Sequence, residues 1–266
     1  MIEWQTPAVV LDGHDSGENG AIITFLTAEH GLRRASALGA RARSQRSLWQ
    51  RGNIILASWK ARLPEQLGHV RGEMLHPVSA VLMESPQSLA ALNSACALCL
   101  ETLADRQPHP RLFEGLVQLL GQLCRNPGQV PWADIINWEQ LLLAELGFGL
   151  NLASCAVTGA KAGEGAVLVG VSPRTGRAVS AAGAGRWRDR LLPLPPFMVP
   201  GAPSTTPTTA EALMGLRLTG HFLRQDVFDA VHKPLPLARA TLEADLGAAL
   251  PSPGPSPLRE GSEKGE

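Results

Sequence analysis

Between Gly31 and Pro64 the chain carries seven arginines and one lysine (Arg33, Arg34, Arg41, Arg43, Arg46, Arg51, Lys60 and Arg62) and no acidic residue. Guanidinium and ammonium groups at that density do one kind of chemistry well. They bind phosphate, releasing the counterions condensed on a nucleic-acid backbone. Across the whole chain 24 basic residues balance 24 acidic ones, so this stretch is +8 and the remainder, 16 basic against 24 acidic, is −8. Arginine outnumbers lysine 20 to 4, a bias that would enrich any solvated loop in arginine but does not account for the missing Asp and Glu. Trp49 sits between Arg46 and Arg51, where an exposed indole could stack on a base; packing across the mouth of a barrel is the competing reading. Many arginines with at most one stacking side chain suit backbone contact rather than sequence readout.

Other groupings carry less. Cys96 and Cys99 have redox or zinc spacing but lie in an apolar helical run with no second pair beside them, so they read as buried core thiols, as does Cys124. His14, His69 and His109 share no metal-ligand spacing. The Gly-rich stretch 159–185 lacks the lysine and hydroxyl of a phosphate-binding loop, no G-x-G-x-x-G follows a strand, and no G-x-S-x-G elbow is present. The catalytic inventory is empty, and neither an enzyme nor a metal or cofactor site is expected.

Short strands must position the basic residues. Residues 8–11 form a β-prone apolar run, ended by the turn-rich stretch 12–20; residues 21–27 follow, and 31–38 return antiparallel to them. From Gly52 the alternation places Ile55, Ala57, Trp59, Ala61 and Leu63 on one face and Leu56, Ser58, Lys60 and Arg62 on the other; residues 69–75 alternate again. Five strands in about 80 residues predict a small barrel, with the cations on its third and fourth strands and the 39–52 loop. An OB-type barrel uses its strand 2–3 face and nearby loops to track a single strand; sequence alone does not separate it from an SH3-like barrel.

At Ser85-Pro86 the period changes to helical. Three amphipathic helices follow, broken at Pro108-His109-Pro110 and at Asn126-Pro127-Gly128 and stopped at Gly147. Residues 150–205 are rich in Gly, Ala, Ser and Pro, with β-like pieces at 166–169 and 177–179. Thr208-Thr209-Ala210-Glu211 has capping-box form and opens another helix, and a last one is expected over 237–246. The fold class is α+β: an OB-type domain over 1–80, a helical domain over 85–246 with an irregular Gly-rich lobe at 150–205, and a disordered tail over 247–266. A hydrophobic content of 44%, 18% charged residues, no membrane-length apolar run, no leader-like N-terminus and four cysteines predict a soluble cytoplasmic protein.

The order of these parts, with Glu145-Leu-Gly-Phe-Gly-Leu150 near Cys155, Arg190-Leu-Leu-Pro-Leu-Pro195, Val171-Ser-Pro-Arg-Thr-Gly176, the Glu29-His-Gly31 turn and Gly52-Asn-Ile-Ile55, resembles the bacterial recombination mediator family RecO over about residues 3–246. The resemblance implies an N-terminal OB fold and a helical domain, and binding and annealing of single- and double-stranded DNA. It also implies recognition of the acidic tail of the single-stranded-DNA-binding protein SSB and, with RecR, loading of RecA. Whether RecF is a further partner stays open, and the cytoplasmic location becomes a nucleoid-associated one. Many relatives carry four zinc-binding cysteines as two C-x-x-C pairs. Here Cys155 stands alone, with Thr158, Ser180 and Gly183 at the other places, so no zinc is expected and packing must hold the lobe. An RNA-binding OB protein linked to translation is the alternative, and an enzyme using the 159–185 lobe a more distant one.

Overall fold

The computed structural model describes residues 1–203 and 205–250. Strands β1 (Ile2–Ser16), β2 (Gly20–Thr27), β3 (Gly31–Ala37), β4 (Ile54–Ala61) and β5 (His69–His76) close into a barrel in the order β1-β2-β3-β5-β4. Closure rests on the length of β1, whose first half pairs with β4 from Ile2↔Ala61 to Val9↔Ile54 and whose second half pairs with β2 from Ala8↔Thr27 to Ser16↔Gly20. One parallel bridge, Ser36↔His69, joins β3 to β5, and this strand order is the OB-type arrangement.

Period-two alternation divides the side chains between two cores. Ala8, Val10, Ile23, Phe25, Ala35, Ile55, Ala57, Trp59 and Val70 fill the barrel. Val9, Leu11, Leu26, Leu32 and Ile54 point outward, yet they are buried too, in a larger core shared with the helices. Two expectations change here. The 12–20 stretch does not end β1 at Leu11: the strand bulges between Val10 and Asp12 and pairs on to Ser16, and the turn is confined to the three residues before Gly20. Leu63 does not join the Ile55–Ala61 face, because β4 ends at Ala61 and Leu63 lies 56% exposed in the turn that follows.

A short helix, α1 (Val78–Leu82), leads into α2 (Pro86–Thr102), α3 (Pro110–Arg125) and α4 (Trp132–Glu145). The Ser85 hydroxyl caps α2 by accepting the Ser88 N–H at 3.4 Å, with Pro86 where a missing N–H costs nothing. Gly147 follows α4 at φ +92, a left-handed conformation suited to a helix stop. Helix α2 and the barrel meet closely: a side chain on Gly52 would collide with Leu92, and one on Gly31 with the backbone of Gln107. Both glycines also have positive φ, so neither position admits a larger residue without moving the barrel from the helices.

The 150–205 lobe is more ordered than expected. Strands β6 (Leu168–Val171) and β7 (Ala178–Ser180), a turn of helix α5 (Ala181–Ala184), and β8 (Leu192–Pro193) form a three-stranded sheet in the order β7-β6-β8. Leu152, Cys155, Leu168, Val171, Ala178 and Val179 are buried in the same core as the helices, which compensates for the lobe's short elements. Helix α6 (Thr209–Phe222) begins with both halves of its capping box formed by Thr208 and Glu211. Helix α7 (Leu237–Ala248) packs on α2 and runs two residues beyond the expected 246; of the tail expected over 247–266, residues 251–266 lie outside the described ones.

One ion cluster ties α4, α6 and α7. Arg239, fully buried, bonds Glu139 through Nε at 2.5 Å and Nη2 at 3.1 Å, Glu243 through Nη1 at 3.1 Å, and the Leu216 carbonyl at 2.6 Å. The Thr219 hydroxyl donates to Glu139 at 2.5 Å. Every charge in this junction therefore has a counter-charge and a hydrogen bond, with Glu243 at its partly exposed edge. Among the described residues no helix is long and apolar enough to cross a membrane.

Candidate nucleic-acid interface

The eight cations of the 31–64 segment fall into two groups. Four are held by the protein itself. Arg34 pairs with Asp105 at 2.6 Å, across to the segment after α2. Arg41 pairs with Asp15 at 3.3 Å and donates to the carbonyls of Gly17 and Glu18, fastening its loop to the β1–β2 turn. Arg51 donates to the Leu11 carbonyl and Asp12 at 2.8 Å each and to Asn93 at 3.3 Å, locking β1, the 39–53 loop and α2 together. Arg33 is the fourth. The other four, Arg43, Arg46, Lys60 and Arg62, are exposed and have no side-chain ion pair or hydrogen bond among the described residues.

Arg33 alternates inward with Ala35 and Ala37 and enters one end of the barrel. Its guanidinium carbon lies 5.1 Å from the centroid of Trp59 and 6.0 Å from that of Trp4, and its Nη1 donates to the Pro64 carbonyl at 3.2 Å. Burial, then the nearby charge of Arg106, lowers its pKa against the pull of Asp105. Its Nε is buried with no partner among the described residues. Beside it Trp4 stacks on Trp59 at 5.3 Å and on His30 at 4.1 Å, a ladder of three rings. Burial and then Arg33 lower the His30 pKa, favouring a neutral ring there. A cleft of about 300 Å³ lies alongside, lined by Arg33, Arg34, Arg106, Glu65 and Asp105 among others.

At the other end Leu48 and Trp49 cover the barrel core, and a side chain on Gly72 would touch the Trp49 ring at 3.0 Å. Trp49 is therefore half-buried, packed over the barrel core while it also lines a cleft with Arg41, Arg46 and Arg51. Gly72 faces into the barrel, so Arg71 before it lies on the outer face of β4 and β5, where Ser58 stands opposite Arg71 and Lys60 opposite His69. The outer side of β2 and β3, the expected binding face, is covered where Leu26 and Leu32 enter the helical core. The unpaired cations thus belong to the 39–53 loop and the β4–β5 side.

Arg71, Trp4 and His30 were missed in the sequence. Arg71 lies outside the acid-free stretch. Trp4 shares the inward even-numbered face of β1 with Ala8 and Val10, so a longer strand would have revealed it.

The degenerate zinc positions do converge. Cys155 Sγ accepts from the Ser180 N–H and hydroxyl at 3.2 Å each and from the Thr158 N–H at 3.4 Å; Ser180 Oγ in turn accepts from the Gly183 N–H at 3.1 Å. A Cβ on Gly183 would stand 2.9 Å from Cys155 Sγ. Burial opposes ionisation of this thiol, but the hydrogen bonds from Ser180 and Thr158 outweigh it and bring its pKa down to about 6. One thiolate with hydroxyl and amide donors aimed at it does not fit zinc. Cys96 and Cys99 are fully buried, and burial pushes the Cys96 thiol up to about 12.

A further cleft of about 460 Å³ runs between α3 and α4. Leu119, Trp138 and Leu141 form apolar parts of its lining, Arg125 and Asp134 stand among its polar groups, and Trp138 Nε1 has no hydrogen-bond partner among the described residues.

Comparison with known proteins adds the family. The profile of Recombination protein O N terminal matches residues 1–78, and that of Recombination protein O C terminal matches residues 83–234. The chain is 47% identical over 254 residues to the DNA repair protein RecO of Gluconacetobacter diazotrophicus, covering 94% of this chain and 97% of the relative. It is 44% identical to that of Granulibacter bethesdensis, covering 93% and 96%, and 43% identical to that of Acidiphilium cryptum, covering 91% and 94%.

Proposed function

Because the chain belongs to the RecO family of DNA repair proteins, we propose that it is a non-catalytic mediator that grips the DNA backbone through Arg43, Arg46, Lys60 and Arg62, with Arg71 beside them. The observation that carries this reading is the division of the basic segment. Half of its cations are consumed in holding the fold, and the half without partners is exposed, Arg43 and Arg46 on the 39–53 loop and Lys60 and Arg62 at the end of β4. Exposed cations without internal partners are free to displace counterions from phosphates. His30, the half-buried outer ring of the Trp4–His30–Trp59 ladder, offers a face at the barrel end on which a base can settle. Neutralising phosphates on two strands at once lowers their repulsion, so annealing needs no nucleotide and no chemical step.

In this reading the protein works in the cytoplasm at the nucleoid, binds single- and double-stranded DNA, and with RecR loads RecA onto SSB-coated strands; RecF is a further candidate partner. The α3–α4 cleft suits the SSB tail, since an acidic peptide ending in hydrophobic residues needs an apolar floor and a basic rim, here Arg125.

The test compares binding of a labelled single-stranded DNA, its duplex and the RNA of the same sequence, together with annealing across a salt series. DNA binding, annealing that collapses as salt rises, and recovery of RecR from an extract are the expected outcomes. Annealing indifferent to salt would sink the backbone mechanism. Preference for RNA without RecR would favour the translation-linked alternative.

A further inference from the structure

We propose that the exposed segment Gly185–Arg190 of the lobe is a second contact for single-stranded nucleic acid, holding one strand against Trp187 while the barrel holds the other. The inference rests on the mediator reading above and adds a site to it. Its first support is Trp187 itself. Of the six tryptophans, Trp59 and Trp138 are buried and Trp4, Trp49 and Trp132 half-buried, whereas Trp187 is 49% exposed. Indoles dominate core energetics when buried, so one left in solvent forgoes a large stabilisation.

The second support is what surrounds the ring. The guanidinium carbon of Arg186 lies 4.9 Å from its centroid and that of Arg190 5.1 Å. Arg186, Arg188 and Arg190 are exposed and have no side-chain ion pair or hydrogen bond among the described residues; Asp189 is the one acid of the segment. Two arginines over one exposed indole, with a third in the same segment and none of them in an ion pair, match both halves of a nucleotide. A base can stack on the ring, and the guanidinium forks can turn to the flanking phosphates. An acidic peptide would use the arginines but not the ring face. A duplex would offer phosphates but keep its bases stacked on each other, so the fit is to a single strand.

The third support is the mounting. The segment follows α5, whose Ala184 is buried, and leads into β8, which pairs with β6 through Val171↔Leu192 and Gly170↔Pro193. It is therefore presented from a sheet at one end and from the core at the other, as a rigid binding site requires. The lobe packs on α4 and α6, whereas the barrel packs on α2 and α3. Strands held by the two sites are then carried by different parts of one molecule, the arrangement that annealing needs.

The experiment uses the full chain with a bromodeoxyuridine-substituted single strand, ultraviolet cross-linking and mass-spectrometric mapping, beside Trp187→Ala and Arg186→Ala/Arg190→Ala. Cross-links at Trp187 as well as in the barrel are expected. Trp187→Ala should anneal complementary strands about tenfold more slowly, the scale of one lost base–aromatic stack, and Arg186→Ala/Arg190→Ala should also anneal more slowly than wild type. The melting temperature should stay unchanged, since the altered side chains are exposed. Cross-links confined to the barrel, with annealing by Trp187→Ala at the wild-type rate, would overturn this inference and leave the mediator reading standing. A tryptophan fluorescence change that Trp187→Ala abolishes, seen with an oligoglutamate peptide and not with single-stranded DNA, would overturn it in favour of a protein partner. A wild-type chain that binds no DNA at all would instead overturn the mediator reading from which it starts.

Discussion

Replacing Arg43, Arg46, Lys60 and Arg62 together by alanine tests whether partnerless cations are the ones that touch DNA. Each phosphate neutralised on a single strand contributes about −0.7 to the slope of log affinity against log salt. If all four make such contacts, the variant's slope is shallower by about 2.8. Between about 50 and 200 mM salt, a change of about 0.6 log units, wild type then loses about 50-fold more affinity than the variant does. The four side chains are exposed, so stability should move by no more than about 0.5 kcal/mol and the comparison stays clean. The matching control is Arg34→Ala/Arg41→Ala, which removes two cations already paired with Asp105 and Asp15. It should lower stability slightly and leave the slope as in wild type. The assay is fluorescence anisotropy of a labelled dT oligomer over the salt series. An unchanged slope in the quadruple variant, or an equal loss in the control, would refute the division of the basic segment into structural and binding halves.

Three further outcomes follow from other parts of the structure. Arg239→Met leaves Glu139 buried without its counter-charge and should cost about 3–5 kcal/mol in urea unfolding, most of it recovered by adding Glu139→Leu. The Cys155 thiol ionises at about 6 in the folded chain, below its ordinary value of 9.0, so the unfolded chain holds the proton more tightly. Its contribution is therefore absent below about pH 6, grows as pH rises, and is complete above about pH 9, so the stability gap between wild type and Cys155→Ser should widen over that window; a gap independent of pH would contradict the hydrogen-bonded thiolate. Finally, Thr158→Cys/Ser180→Cys/Gly183→Cys should bind one zinc with Cys155, measured by a chromogenic chelator after protease digestion, because those positions already meet around one point.

Local patterns were legible where one residue type dictates one local geometry. Ser85-Pro86, Gly147 and Thr208-Thr209-Ala210-Glu211 mark helix ends because capping is settled within a few residues. The Ile55–Trp59 alternation marks a strand whose inner face is buried in the barrel. Less legible was the lobe at 150–205. Its strands have two to four residues and no period of their own, and its sheet is stabilised by side chains that enter the helical core. Trp49 was ambiguous for a related reason: an indole beside arginines suits solvent or a barrel end equally well until Gly72 is known to lie beneath it.

The sequence by itself determined the α+β class, the barrel followed by helices, the position of the basic segment and the family. Composition and short-range periodicity carry the first three, and the resemblance at Glu145–Leu150 and Arg190–Pro195 carries the family. Only the tertiary structure decided which cations in that segment are available. Arg34 and Asp105 are 71 residues apart, and Arg51 reaches Leu11 across 40 and Asn93 across 42. A charge is neutralised by whatever the fold brings within a few ångströms of it, and neighbours in the chain hold no record of that.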